Sequence, residues 1–289
     1  MARIIGGIGT SHVPTIGIAY DKGRRHEPAW APLFEGYEPV ARWIAQQQPD
    51  ALMVFYNDHA NSFFFDFWPT FALGVSATFP LADEGAGRRP LPAIKGHPEL
   101  AIHLAEQLVN DEFDLTVFQD KPLDHGLHSA LPLLWPHEPD WPGAVVPLQI
   151  NVLQYPMPTA LRCYKLGQAV RRAIESYPQD LRVVVVGTGG LSHQIHGERT
   201  GFNNPEWDHR FLDLLRDDPA QLTALRHADY VRLGGAEGAE VIMWLAMRGA
   251  LAAPGGAVRE LHRSYYLATT TAMAVTLYEP VESTTEVAA

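Results

Sequence analysis

Three apolar runs in this chain end in histidine. Residues 3–10 lead into Ser11-His12, and residues 52–56 lead into Asn57-Asp58-His59. Residues 181–186 pass through a glycine turn, Gly187-Thr188-Gly189-Gly190, to His193 and then His196. In open α/β sheets ligands bind just outside the carboxyl ends of strands. Three strands that each end in histidine therefore read as one site. Two imidazoles and one carboxylate form a ligand face that leaves positions open on iron(II) for a substrate and oxygen. His12 and His59 supply the imidazoles. Asp58, Glu237 and Glu240 are the carboxylate candidates. Glu237 and Glu240 are spaced i, i+3 after Gly234-Gly235 and share a helical face. Spacing does not choose between them, and first-turn carboxylates also stabilise a helix N-terminus without any ligand role. Tetrahedral zinc draws on the same ligand types.

Other chemistries fit less well. Ser11 and Ser192 each precede a histidine, but sequence neighbours rarely form a catalytic pair, and no Gly-x-Ser-x-Gly elbow is present. The glycine turn at 187–190 lacks the Gly-Lys-Ser/Thr ending of a phosphate loop.

The elements that must position these histidines alternate between strand and helix. Strands are expected at residues 2–10, 51–56, 115–118, 144–150, 181–186, 265–267 and 272–278. Helices are expected at 37–47, 97–109, 158–177, 205–215, 219–226 and 236–248, several opening on proline and stopping at Pro or Asp. Residues 13–36 and 80–96 read as loops, and 122–128 as a turn. His97, before Pro98, suits a capping or surface role. The aromatic stretch from Phe63 to Phe79 reads as core or interface packing, with a wall for a planar ring as the sharper alternative. The alternation implies one α/β domain with a sheet flanked by helices. It covers residues 1–280, with a polar, disordered tail at 281–289.

The 289 residues are 46% hydrophobic and 19% charged, as in an ordinary globular protein. A formal charge of −11 argues against a nucleic-acid partner. The single cysteine, Cys163, excludes an internal disulfide and any multi-cysteine metal site, which fits a cytoplasmic location. No run approaches a membrane span, and the N-terminus does not read as a signal peptide.

Several segments together carry a resemblance. They are Thr10-Ser11-His12-Val13-Pro14, Tyr56-Asn57-Asp58-His59, Ala82-Asp83-Glu84-Gly85, Lys95-Gly96-His97-Pro98 and Asp124-His125-Gly126. Gly187-Thr188-Gly189-Gly190-Leu191-Ser192-His193-Gln194 and Glu237-Gly238-Ala239-Glu240-Val241-Ile242-Met243-Trp244-Leu245 complete the set. Each is weak alone; in this order they resemble the catalytic β subunits of protocatechuate 4,5-dioxygenases and the related gallate dioxygenases. The match runs from the first strand to about residue 280.

The resemblance implies a class III extradiol dioxygenase with a central mixed sheet and non-haem Fe(II). By analogy, His12, His59 and Glu240 are the metal ligands, which selects Glu240 over Glu237. His193 becomes the acid–base residue and His125 a second pocket histidine that hydrogen-bonds the substrate. Asn57 and Asp58 become pocket groups or groups that orient the ligands. The implied reaction opens a carboxylated catechol outside its two hydroxyls. For protocatechuate this is the 4,5 bond, and the product is 4-carboxy-2-hydroxymuconate semialdehyde; gallate is the alternative substrate. A neutral histidine suits the transfer of the phenolic proton. Where the protocatechuate enzymes read Ser-Asn-Thr-Ala beside the substrate carboxylate, this chain reads Thr269-Thr270-Thr271-Ala272. Thr270 thus removes an amide donor and leaves the substrate open. Residues 201–208 lean toward the gallate branch. The resemblance also implies a small α subunit from another chain in an α2β2 assembly. The contrasting readings are a Memo-like metal-binding protein without enzymatic activity, and a zinc-dependent hydrolase.

Overall fold

The computed structural model describes residues 1–253 and 256–281. Ten strands are present among them: β1 Arg3–Thr10, β2 Ala51–Tyr56, β3 Phe71–Gly74, β4 Thr78–Phe79, β5 Ile94–Lys95, β6 Thr116–Phe118, β7 Ala144–Ile150, β8 Arg182–Thr188, β9 Val258–Tyr266 and β10 Met273–Pro280. The α-helices are α1 Pro14–Asp21, α2 Ala31–Gln47, α3 Pro98–Asn110, α4 His125–His128, α5 Leu131–Leu134, α6 Ala160–Glu175, α7 Pro205–Asp217, α8 Pro219–Thr223, α9 His227–Gly234 and α10 Ile242–Leu251. Eight strands form one mixed sheet in the order β6-β3-β7-β2-β8-β1-β10-β9, and β4 pairs with β5 separately.

The central strands are buried on both faces, as their largely apolar content without in/out alternation requires. Their side chains alternate between two cores. Met53, Phe55, Val183 and Val185 pack with α3, α6, α7 and α10. Leu52, Val54, Tyr56, Val184 and Val186 pack with α1, α2, α4 and α5. The result is a three-layer α/β/α domain, the mixed sheet flanked by helices that the sequence implied.

The order of the middle strands places the site. β8 lies between β1 and β2, and both neighbours run parallel to it. All three carboxyl ends therefore emerge at one edge. Thr10 is level with Thr188, and Phe55 with Gly187, so the residues that follow each strand start from one level.

Several expectations shift. Residues 13–36 are not simply loop: α1 begins at Pro14, and α2 begins at Ala31 rather than Tyr37. Pro14 and Pro32 each sit in a first helical turn, where the missing N–H costs nothing. The loop expected at 80–96 contains β5, and the aromatic stretch contains β3. The last two strands are longer than expected and form an antiparallel hairpin. The helix expected at 236–248 is a 3-10 turn, Glu237–Val241, followed by α10. His97 caps α3, its Nδ1 accepting from the Leu100 N–H at 3.3 Å. The tail expected at 281–289 lies outside the described residues except for Val281. No helix among the described residues is long and apolar enough to cross a membrane.

Candidate metal and substrate site

β1 delivers His12, β2 delivers His59, and the 3-10 turn before α10 delivers Glu240. One ligand atom from each lies within 4.8 Å of the others. His12 Nε2 is 2.9 Å from Glu240 Oε2, and His59 Nε2 is 3.2 Å from Glu240 Oε1. His12 and Glu240 are buried, and His59 is partly open.

Each imidazole is oriented through its other nitrogen. His12 Nδ1 lies 3.1 Å from the Gly126 carbonyl oxygen and 3.1 Å from Thr188 Oγ1. The Thr188 hydroxyl itself donates to the Gly126 carbonyl at 2.7 Å. His59 Nδ1 lies 2.9 Å from Asp124 Oδ2. An N–H spent on such an acceptor leaves Nε2 as the lone-pair atom facing the cluster, the arrangement that metal-binding histidines use. Two imidazole lone pairs and one carboxylate, converging and held from behind, fit a divalent first-row cation.

The electrostatics fit as well. Burial alone would raise Glu240, but His12 and His59 outweigh it and hold the carboxyl well below its usual range. Burial lowers His12 despite Glu240, which favours the neutral ring that a ligand needs. Burial would also lower His59, but Asp124 and Glu240 reverse this and raise it to about 10. Asp124 is likewise held well below the carboxylate range, because the charge and hydrogen bonds of His59 overcome burial. A cation at the cluster would take the place of the His59 Nε2 proton that faces Glu240, while Nδ1 keeps its bond to Asp124.

Asn57 is fully buried against the ligands, its Nδ2 3.2 Å from Glu240 Oε1 and 3.1 Å from His59 Nε2. Its Oδ1 has no hydrogen-bond partner. Asp58 is no ligand. Its carboxylate accepts the backbone N–H groups of Asn61, Ser62 and Phe63 and caps the loop after His59. Burial and the neighbouring Asp124 push it up to about 6. In that loop Ala60 takes a left-handed φ of 59°, a strained conformation for a residue with a Cβ.

Glu237 separates from Glu240 although both lie on one face of the turn. A 3-10 helix rises about 2 Å per residue, so three residues displace Glu237 by about 6 Å along the axis. It pairs there with exposed His196 at 3.1 Å and accepts the Ile195 N–H at 3.1 Å. His196 takes no part in the cluster.

His125 joins the site from the start of α4. Its ring stacks on His59 with centroids 3.9 Å apart and lies 5.8 Å from His12. Its Nδ1 hydrogen-bonds Glu84. His193 follows β8, with its Nδ1 on the Leu191 carbonyl at 2.8 Å. The glycines of the turn make this approach feasible. A Cβ on Gly190 would stand 2.5 Å from the His193 ring, and Gly189 takes a φ of 144° beside Glu240. The Gly190 N–H donates to Glu240 Oε2 at 3.2 Å, which ties the His193 turn to the ligand cluster. Thr271 pairs with His193 through the backbone, and the Thr269 hydroxyl accepts the Thr271 N–H at 3.2 Å. The turn carrying Thr269 and Thr270 therefore borders the acid–base candidate.

Residues 6–276 match the family described as the catalytic LigB subunit of aromatic ring-opening dioxygenase. The chain belongs to this family. It is 58% identical over 199 residues to gallate dioxygenase of Pseudomonas putida, covering 69% of this chain and 58% of that protein. The match thus spans less than two thirds of that relative's length. It is 31% identical over 251 residues to the 2,3-dihydroxyphenylpropionate/2,3-dihydroxicinnamic acid 1,2-dioxygenase of Burkholderia vietnamiensis, covering 72% of this chain and 77% of the relative. The solved structure of an uncharacterized protein from Escherichia coli K12 has the same fold. Its TM-score is 0.55 at 15% identity, covering 94% of this chain and 99% of that one.

Beyond Asn57, the groups behind the ligands are not evident from the sequence of this dioxygenase-family chain. Asp124, Thr188, the Gly126 carbonyl and Glu84 all act on candidate site histidines. The signal for Asp124 is its place directly before His125 in Asp124-His125-Gly126. Nothing local announces Thr188, whose role depends on strand register.

Proposed function

We propose that this chain is an extradiol dioxygenase that opens the ring of a carboxylated catechol with O2 and Fe(II), and that its substrate is gallate rather than protocatechuate. The observation that carries this reading is the convergence of His12, His59 and Glu240, each oriented from behind, with His125 and the His193 turn beside them. The likeness to gallate dioxygenase supports gallate over protocatechuate, and Thr270 in place of an amide donor agrees with a changed substituent site.

His12, His59 and Glu240 would hold Fe(II), which would supply open positions for the two catechol oxygens and the redox chemistry that O2 activation needs. The chain's own residues do the rest. His193 accepts the proton of a phenolic hydroxyl and later returns it, since an imidazole can serve as base in one step and as acid in the next. His125, anchored on Glu84, offers its Nε2 to a substrate oxygen. Asn57, Thr188 and Asp124 hold the ligands in register. Thr269 and Thr270 face the ring substituent. Residues 1–280 form the catalytic domain, and the single buried thiol suits the cytoplasm.

A small covering subunit suits the aromatic stretch. Phe63 is buried, but Phe64, Phe65 and Phe67 are more than half exposed and Trp68 is over a third exposed, all on the loop that follows His59. Four exposed aromatic side chains this close together, interrupted only by Asp66, suit an interaction surface.

The test is oxygen uptake by protein loaded anaerobically with Fe(II), given gallate, protocatechuate and 2,3-dihydroxyphenylpropionate in parallel. Uptake is expected with gallate above the other two. No uptake with any of them, with or without an added small subunit, would overturn the reading. Activity in zinc and none in Fe(II) would replace it with the hydrolase.

A further inference from the structure

Residues 201–208 make no hydrogen bond to the three candidate ligands, yet their polar groups converge on two loops of the site. One carries His193, and the other is the turn of Thr269–Thr271. The backbone bonds between these loops are long: Leu191 N–H to the Ala272 carbonyl and Ala272 N–H to the Ser192 carbonyl are both 3.2 Å. The Asn203 side chain joins them more tightly. Its Nδ2 donates to the Ser192 carbonyl at 2.8 Å and to the Thr270 carbonyl at 2.9 Å, one hydrogen to each loop.

The anchor of Asn203 is itself rooted. The Asn204 N–H donates to Ser192 Oγ at 2.7 Å, and Asn204 caps α7 by accepting from the Trp207 N–H at 3.2 Å. Ser192 Oγ donates to Asp208 Oδ2 at 2.6 Å, and the Ser192 N–H donates to Asp208 Oδ1 at 2.8 Å. The Tyr265 hydroxyl, from β9, donates to the same carboxylate at 3.0 Å. The first turn of α7 thus grips the residue before His193, and Asn203 reaches from that grip to Thr270.

We infer that Asn203 is a positioning residue that sets the separation between His193 and the Thr269–Thr271 turn, and so selects the ring substituent held while His193 meets the phenolic oxygen. This rests on the proposed dioxygenase reading. The geometry demands an amide. A carboxylate has no hydrogen to give and would repel both carbonyls, and a methyl group reaches neither. The Thr270 end of the link is exposed, so water takes over the carbonyl there and the loss falls on geometry more than on stability.

The experiment compares wild type with Asn203→Ala and the isosteric Asn203→Asp, using gallate and its decarboxylated counterpart pyrogallol. In both variants KM for gallate rises about tenfold, the cost of about one well-made hydrogen bond. KM for pyrogallol stays within about twofold of wild type, and the iron content is unchanged. Equal changes for the two substrates would show a structural role only and overturn the inference. Hydrogen–deuterium exchange, read without any turnover, gives a second arm. Faster exchange in Asn203→Ala at both 191–193 and 270–272 supports the link; a change confined to 201–204 overturns it. If wild type turns over neither substrate, the dioxygenase reading fails and the exchange arm still decides whether Asn203 couples the loops.

Discussion

His59 and Asp124 are joined twice through one carboxylate oxygen: Asp124 Oδ2 accepts the His59 backbone N–H at 2.6 Å and lies 2.9 Å from His59 Nδ1. The first bond fixes where the residue starts and the second fixes the rotation of its ring. Asp124 also caps α4, its Oδ1 accepting the Gly126 N–H at 3.0 Å. One buried carboxylate therefore places His59, His125 and the Gly126 carbonyl that orients His12.

Asp124→Asn keeps the shape and removes the charge. Partners behind a metal-binding histidine are worth about 10- to 100-fold in metal affinity, so iron affinity should fall within that range. Anaerobic titration of the metal-free protein with Fe(II) measures it. An unchanged affinity would mean that backbone placement alone orients His59. The cap on α4 should survive, because Asn caps a helix about as well as Asp, so urea unfolding of the metal-free variant reads the loss of the His59 contacts alone.

Glu240 and Glu237 make a matched pair of controls, because the same 3-10 turn carries both. Glu240→Gln removes the charge between His12 and His59 and should abolish stoichiometric iron binding. Glu237→Gln affects only the His196 pair and the Ile195 N–H, so iron content and turnover should stay within about twofold of wild type. Metal analysis after gel filtration separates the two outcomes, and the reverse pattern would reassign the ligand.

His193→Ala should retain iron and lose about 10²- to 10⁴-fold in turnover, the range for a general acid–base group. Gly190→Ala approaches the same residue from behind. Its Cβ would sit 2.5 Å from the His193 ring, so the ring must turn away and most of that loss should recur with His193 still in place. A Gly190→Ala enzyme with wild-type kcat would show that the ring orientation seen here is not the working one.

How far the sequence was legible follows from which interactions are local. β2 and β7 fall at the residues expected, 51–56 and 144–150, because a short, mostly apolar run that starts just after Asp50 or Gly143 has few other readings. The histidines at strand ends were legible for the same reason, since the strands that carry them are. α1 was not, because its eight residues follow a strand end directly and only its opening proline marks a helix. The choice between Glu237 and Glu240 required the rise of a 3-10 turn that periodicity reads as α-helix. Thr188 and Asp124 act across 176 and 65 residues of chain, and no local pattern encodes such a pairing.

His128 gives the pH prediction, away from the ligand cluster. It is fully buried on α4, its Nδ1 3.3 Å from Arg89 Nη1 and its Nε2 without a partner. Burial, assisted by the Arg89 charge, lowers it to about 4. An unfolded histidine titrates near 6.5, so between these values the unfolded chain holds a proton that the folded one refuses. The His128 contribution is thus fully present above about pH 6.5 and is lost as the pH falls, at about 1.4 kcal/mol per unit. His128→Gln keeps an acceptor for Arg89 and cannot titrate. Between pH 7 and pH 4.5, wild type should lose about 2–3 kcal/mol more stability than the variant. Urea unfolding of both metal-free proteins at the two pH values measures this, because the carboxylates titrate in both and cancel in the difference. A gap that does not change with pH would mean that His128 takes up its proton in the folded state, and that the α4 core opens to water in acid.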